Sequence, residues 1–303
     1  MFNNKESIGT ALAFIAAIIS GFAIFANKIF IISIDPLVFT ALRALIIGFM
    51  FLVLSLFNNK WSFKGFRKVS WKYLFAIGII GGGAAFFLFF SGLKLTTSGS
   101  AAFLQKTLPL YVTIFAFIFL KEKITRKQLL ALLAMSTGTI VLSFGGIAPS
   151  NLWTNPSFGD FLVICATILW GIENVISRKA MISGESNFVV SFARMFFGSL
   201  FLFGILLISN NLSSLFTLTQ IQWLYILIST TILFGYVLSY YWSIKYINVS
   251  KASTILLISP IITMLLGSTF LSEPTTVIHI LGSLIILIGA YFISNIKSEF
   301  SRI

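Results

Sequence analysis

The sequence predicts an all-α membrane protein in which ten transmembrane helices form two inverted five-helix repeats. Three observations lead there. The 303-residue chain is 58% hydrophobic and only 10% charged, whereas a soluble domain carries about 25% charged residues. Apolar runs of about 20 residues, enough to cross a bilayer core as a helix, recur along its whole length. The third observation is a repeated stretch. Residues 98–122, SGSAAFLQKTLPLYVTIFAFIFLKE, return in design as VSKASTILLISPIITMLLGSTFLSE at 249–273. Pro260 follows Pro109 by 151 residues, and Glu273 follows Glu122 by the same 151.

The spans are predicted at 8–30, 36–57, 71–92, 98–120, 125–145, 158–179, 187–208, 222–244, 250–271 and 276–295, numbered 1 to 10 below. Helices are required because backbone polar groups in lipid must pair within their own segment. The alternating stretches of a β-barrel are absent. Span 1 is too long for a signal peptide and lacks a small-residue cleavage site, so it is expected to stay in the membrane.

Charge sets the orientation. The net charge of +13 would suit nucleic acid, but the basic residues fall in short joints between apolar runs. With the N-terminus inside, the inner segments hold Lys5, Lys60, Lys64, Arg67, Lys68, Lys72, Lys121, Lys123, Arg126, Lys127, Arg178, Lys179, Lys245, Lys251, Lys297 and Arg302. The outer segments hold only Lys28 and Lys94. This is the positive-inside pattern; both termini are predicted to be cytoplasmic, in a protein expected in the cytoplasmic membrane with no nucleic-acid partner.

The duplication extends beyond the proline stretch. Gly9, Gly21 and Lys28 match Gly159, Gly171 and Arg178 at a spacing of 150, while Arg43, Lys94 and Gly138 match Arg194, Lys245 and Gly289 at 151. The chain is expected to divide into 1–147 and 148–303, joined by an uncharged outer loop rich in Gly, Pro, Asn and Ser near 145–159. An odd number of spans per copy makes the second copy enter the membrane upside down. Inverted repeats of this kind mark transporters, with the substrate site near the midplane between the halves.

Several of these residues also carry a family resemblance. They are the proline of span 4 with its Leu-x-Glu ending, the copy in span 9, an Arg early in spans 2 and 7, and Trp170-Gly171 in span 6. In these the chain resembles the EamA family of the drug/metabolite transporter superfamily, over nearly its whole length. The resemblance implies a central cavity lined by spans 1, 3, 4, 6, 8 and 9, and export or exchange of small metabolites such as amino acids. Lys106 departs from it, a charge where a neutral residue is expected; its counterpart in the second copy is Leu257.

Charges within a span cost about 2.5 kcal/mol or more at the helix centre, so they face a cavity or a partner. Lys106, roughly 12 Å into span 4 at 1.5 Å per residue, either attracts a substrate carboxylate or snorkels outward. Glu173 either couples transport to protons or binds a substrate amine, or else pairs with Arg194. Arg43 and Arg194 are expected to be structural. Trp170, Asn174 and Ser177 share one face of span 6 and form the best candidate pocket face. Tyr236 and Tyr240, Gln105 and Asn27 are further candidate lining residues. Gly21 and Gly171 are expected to permit close helix contact, and Pro109 and Pro260 to kink their helices. Glu122 and Glu273 are expected to orient loops rather than touch substrate. The run Phe86 to Phe90 is expected to be lipid-facing or packing bulk rather than a substrate box, although part of it should face inward.

The expected function is a small-metabolite permease for amino acids or related carboxylates. Its alternative is a multidrug or organic cation exporter with Glu173 as the essential acid. The expected partners are the bilayer and a small-molecule substrate, with a homodimer as a candidate assembly. One cysteine, Cys165, and one histidine, His279, make no disulfide, CxxC motif or metal site. No cofactor, metal or enzymatic activity is expected, since HExxH, a His/Cys pair and an intramembrane aspartate dyad are all absent.

Overall fold

The computed structural model describes residues 2–58, 70–96, 98–146 and 157–297. Among these residues, ten helices are long and apolar enough to cross a membrane. They are Lys5–Phe30, Pro36–Asn58, Trp71–Leu93, Ser100–Leu120, Arg126–Gly145, Phe158–Ile182, Asn187–Ile208, Gln220–Tyr246, Val249–Phe270 and Val277–Asn295. Each overlaps its predicted span. The boundary at 147/148, most of the expected loop at 145–159, and the loop cations Lys60, Lys64, Arg67, Lys68 and Arg302 lie outside the described residues.

The packing exchanges the two copies. Span 1 lies against span 8 as span 6 lies against span 3, and span 4 meets span 6 as span 9 meets span 1. Spans 2 and 7 pack on each other, as do spans 5 and 10. Adding five to each number returns the same set of contacts, the arrangement expected of two antiparallel copies about one pseudo-twofold axis. With an even number of spans, the start of span 1 and the end of span 10 lie on one face, here called the terminal face.

Small residues decide where helices approach, because lipid tails give apolar side chains no reason to prefer protein. A Cβ on Gly21 would lie 2.5 Å from the Ile262 Cβ of span 9, and one on Gly171 would lie 3.0 Å from the Tyr111 Cβ of span 4. The repeat-matched glycines therefore sit at repeat-matched contacts.

The proline spans are interrupted helices. In span 4 one segment, Ser98–Gln105, ends before a second begins at Leu108–Leu120; in span 9, Val249–Ile255 passes through a 3-10 turn, Leu256–Ile258, into Ser259–Phe270. Pro109 and Pro260 lack the N–H that a regular helix would direct at the carbonyls of Gln105 and Leu256. The Leu-x-Glu endings match too. Lys121 at φ 54° and Ser272 at φ 53° are left-handed, and the amide of each following glutamate donates 3.2 Å back to a carbonyl six residues earlier. Span 3 holds an irregularity that the sequence reading did not anticipate, a π-helical stretch Gly78–Ala84.

Candidate functional site

The interruptions in spans 4 and 9 face one another across a central cavity of about 190 Å³. Spans 1, 3, 4, 6, 8 and 9 line it, with one residue from span 7. Asn27, Gln105, Lys106, Trp170, Asn174, Tyr236 and Tyr240 all lie on its wall, together with Phe86, Pro109 and Arg194.

The aromatic wall is built from span 3 inward. Phe86 and Phe89 pack against the Trp170 ring at centroid distances of 5.2 and 5.4 Å. The Trp170 indole N–H donates 3.1 Å to the Gly81 carbonyl in the π-helical stretch. That donor is spent on the scaffold, leaving Trp170 as a rigid apolar surface. Across the cavity Tyr236 and Tyr240 stack, 5.7 Å apart and 7° from parallel.

Among the described residues, two uncharged polar atoms of the wall have no hydrogen-bond partner. Asn174 donates its amide 2.7 Å to the Trp170 carbonyl, which leaves its Oδ1 unpaired. The buried Tyr240 hydroxyl is unpaired as well. Unsatisfied buried polar groups cost about 1–3 kcal/mol each, so both atoms are candidates for contact with a ligand.

The charges divide sharply. Lys106 reaches the Ser259 hydroxyl of span 9 at 3.1 Å, and no carboxylate among the described residues pairs with it. Arg194 does have an acid: its Nε lies 3.6 Å from Oε2 of Glu173, and its guanidinium stands 5.6 Å from the Tyr241 ring centre. Glu173 is fully buried and lies off the cavity wall. Ser177 donates to it at 2.6 Å, and the Tyr241 hydroxyl donates to the same oxygen. Ser177 thus serves Glu173 rather than the cavity, although it shares the Trp170 face. Arg43 donates 2.7 Å to Ser229 of span 8 and more weakly to Asn27, with its charge 4.0 Å above the Phe39 ring.

Sequence reasoning missed two features. Arg194 lines the cavity although span 7 was expected to stay out of it. Glu122 is 6% exposed and does more than shape a loop. Its carboxylate accepts from the amides of Val249, at 2.9 Å, and Ser250, and from the Ser250 hydroxyl at 2.7 Å. Burial lifts this carboxyl above the usual glutamate range, only partly offset by those hydrogen bonds and by the charge of Arg178.

Residues 7–144 and 157–295 match the EamA-like transporter family, one segment for each repeat. The chain belongs to that family. This EamA protein is 27% identical to an "Uncharacterized transporter" of Archaeoglobus fulgidus over 90% of this chain and 94% of the other. It is 26% identical to the "Uncharacterized transporter YyaM" of Bacillus subtilis, over 91% and 92%. It is 25% identical to "Protein PecM" of Dickeya dadantii, over 96% and 93%. A solved crystal structure superposes with a TM-score of 0.75 across 94% of this chain and 95% of that one, at 19% identity, which shows the shared fold. This EamA protein is a multi-pass membrane transporter.

Proposed function

We propose that this transporter moves small carboxylate-bearing metabolites, amino acids among them, across the cytoplasmic membrane by export or exchange. The central cavity is opened alternately to the two faces, with the terminal face in the cytoplasm. The observation that carries this reading is the unbalanced charge of Lys106, a lysine in the cavity wall that reaches a neutral hydroxyl. The start of the second segment of span 4 lies beside it, and a helix N-terminus favours negative charge. The open Oδ1 of Asn174 can accept an N–H from the same substrate. Span 1 and its inverted counterpart, span 6, give the cavity two related walls, which is what an alternating mechanism uses.

The cation-exporter reading has less support, because Glu173 is already held by Arg194, Ser177 and Tyr241 behind the wall. A thermal-shift screen of purified protein against metabolites separates the two. A ligand at 100 times its Kd adds about 2.7 kcal/mol of apparent stability. The carboxylate reading expects amino acids and related acids to raise the melting temperature, and Lys106→Leu to remove the shift. Stabilisation by organic cations alone, removed by Glu173→Gln, would replace it with the exporter reading.

A further inference from the structure

The two Leu-x-Glu turns share a backbone and differ in what their carboxylates do. On the terminal face, Glu122 is buried and takes three hydrogen bonds from the first residues of span 9. On the opposite face, the side chain of Glu273 is 43% exposed and pairs with Lys28, itself 60% exposed. The cations near the two acids are also related. Lys28 and Arg178 match at a spacing of 150 and Glu122 and Glu273 at 151. Arg178 is buried, donates to the carbonyls of Ile244 and Lys245 at the end of span 8, and acts on Glu122 through its charge. Each acid of one repeat therefore faces a cation of the other.

The surroundings agree with this difference. From Val249 to Ile255, every residue at the start of span 9 is buried, whereas Phe270 to Glu273 at its other end are exposed. The cavity extends to Asn27, three residues, or about 5 Å at 1.5 Å per residue, from the end of span 1 on the face that carries Glu273.

We propose that the Glu122 and Glu273 turns are paired latches for the two faces of the transporter. The structure has the Glu122 latch seated and the terminal face closed. Release of Glu122 from Val249 and Ser250 opens that face. Glu273 then seats against the start of span 4, the stretch that corresponds to Val249 and Ser250, and closes the opposite face. The proposal rests on the alternating-access reading above and adds the groups that hold each state.

The test uses the full chain in oriented membrane vesicles, with Cys165→Ala to remove the native thiol and Ser20→Cys as a reporter on the cavity wall. A membrane-impermeant maleimide is applied to either face, and the labelling rate is read. The parent chain should label faster from the Glu273 face. Glu122→Gln should raise labelling from the terminal face about tenfold, the effect of a ~1.4 kcal/mol change in the balance of states. Ser250→Ala, a milder change, should move it in the same direction and guards against misfolding of the first variant. Glu273→Gln should leave terminal-face labelling at or below the parent rate. Unchanged terminal-face labelling in both Glu122→Gln and Ser250→Ala, with slow labelling of the parent still measurable from both faces, would overturn the latches and leave alternating access standing. Labelling from one face alone in the parent and every variant would overturn both.

Discussion

Arg43 and Arg194 stand 151 residues apart in matching spans that pack on each other, yet they live in different chemistry. Arg194 reaches the cavity wall and holds a buried acid, Glu173. Arg43 finds hydroxyl and amide oxygens and the face of Phe39, with no carboxylate partner among the described residues. The helix behind each differs as well. A Cβ on Gly78 of span 3 would press within 2.7 Å of the Ala193 carbonyl beside Arg194, and Gly82 and Gly83 continue that close approach to span 7, while Gly81 makes room for Glu173 of span 6. Span 8, the counterpart that serves Arg43, has Ser229 where span 3 has Gly78 and Leu233 where it has Gly82. Duplication preserved the backbone frame, and side-chain divergence turned one arginine toward the cavity and left the other in the frame. The scaffold is thus close to symmetric and its lining is not.

The largest expected effect breaks this comparison directly. Arg194→Ala leaves Glu173 buried without its cation and should cost about 3–5 kcal/mol of stability, the usual penalty for stranding one member of a buried pair. Arg43→Ala should cost no more than about 1–2 kcal/mol, because Ser229 still donates to Asn27 at 2.6 Å and a desolvated charge is removed along with its bonds. Denaturation of both variants in detergent, compared with the parent, checks the ranking. Equal losses would mean that the acid contributes nothing.

A smaller difference separates the matched glycines. Gly21→Ala brings a Cβ to 2.5 Å from one side-chain carbon and 2.8 Å from the Ser259 carbonyl. It should cost about 1–3 kcal/mol as overpacking that backbone must absorb. Gly171→Ala meets Tyr111 at 3.0 Å and nothing else nearer than 3.4 Å, so its cost should stay below about 1 kcal/mol. Melting temperatures of the two variants give the order.

The smallest effect sharpens the likeness of the halves. Lys121→Gly and Ser272→Gly relieve the same left-handed backbone strain, worth about 1–2 kcal/mol before the entropy that glycine adds to the unfolded chain. Each should therefore gain about 0.5 kcal/mol by the same measurement, and similar gains at both sites would show that the two turns are energetic as well as geometric copies.

The frame was legible in the sequence because it depends on length, hydropathy and spacing. Twenty apolar residues can do little else than span, and the interval of 151 between Pro109 and Pro260 gives the repeat directly. The lining was legible only in part. Trp170, Asn174 and Ser177 share a helix face, but Ser177 sits about 10 Å deeper than Trp170 at 1.5 Å per residue. It therefore falls beyond the cavity, and depth rather than direction separates it from the other two. The pairing of Arg194 with Glu173 was legible, but the place of Arg194 on the cavity wall and the surroundings of Glu122 were not, because they depend on distant spans. Nothing near Glu122 in the chain announces that Val249 and Ser250, more than 120 residues later, will donate to it. The partner of Lys106 in span 9, Ser259, is separated from it by 153 residues.

The comparison between copies reaches its sharpest point at Lys106, because the second repeat carries Leu257 at the matching position and that residue also lines the cavity. Counterflow of labelled amino acids into proteoliposomes, measured below saturation for the parent and for Lys106→Leu at equal thermal stability, tests the central claim. Flux should fall at least tenfold, the value of about 1.4 kcal/mol of lost substrate attraction. Undiminished flux of the same carboxylates through the leucine variant would contradict it.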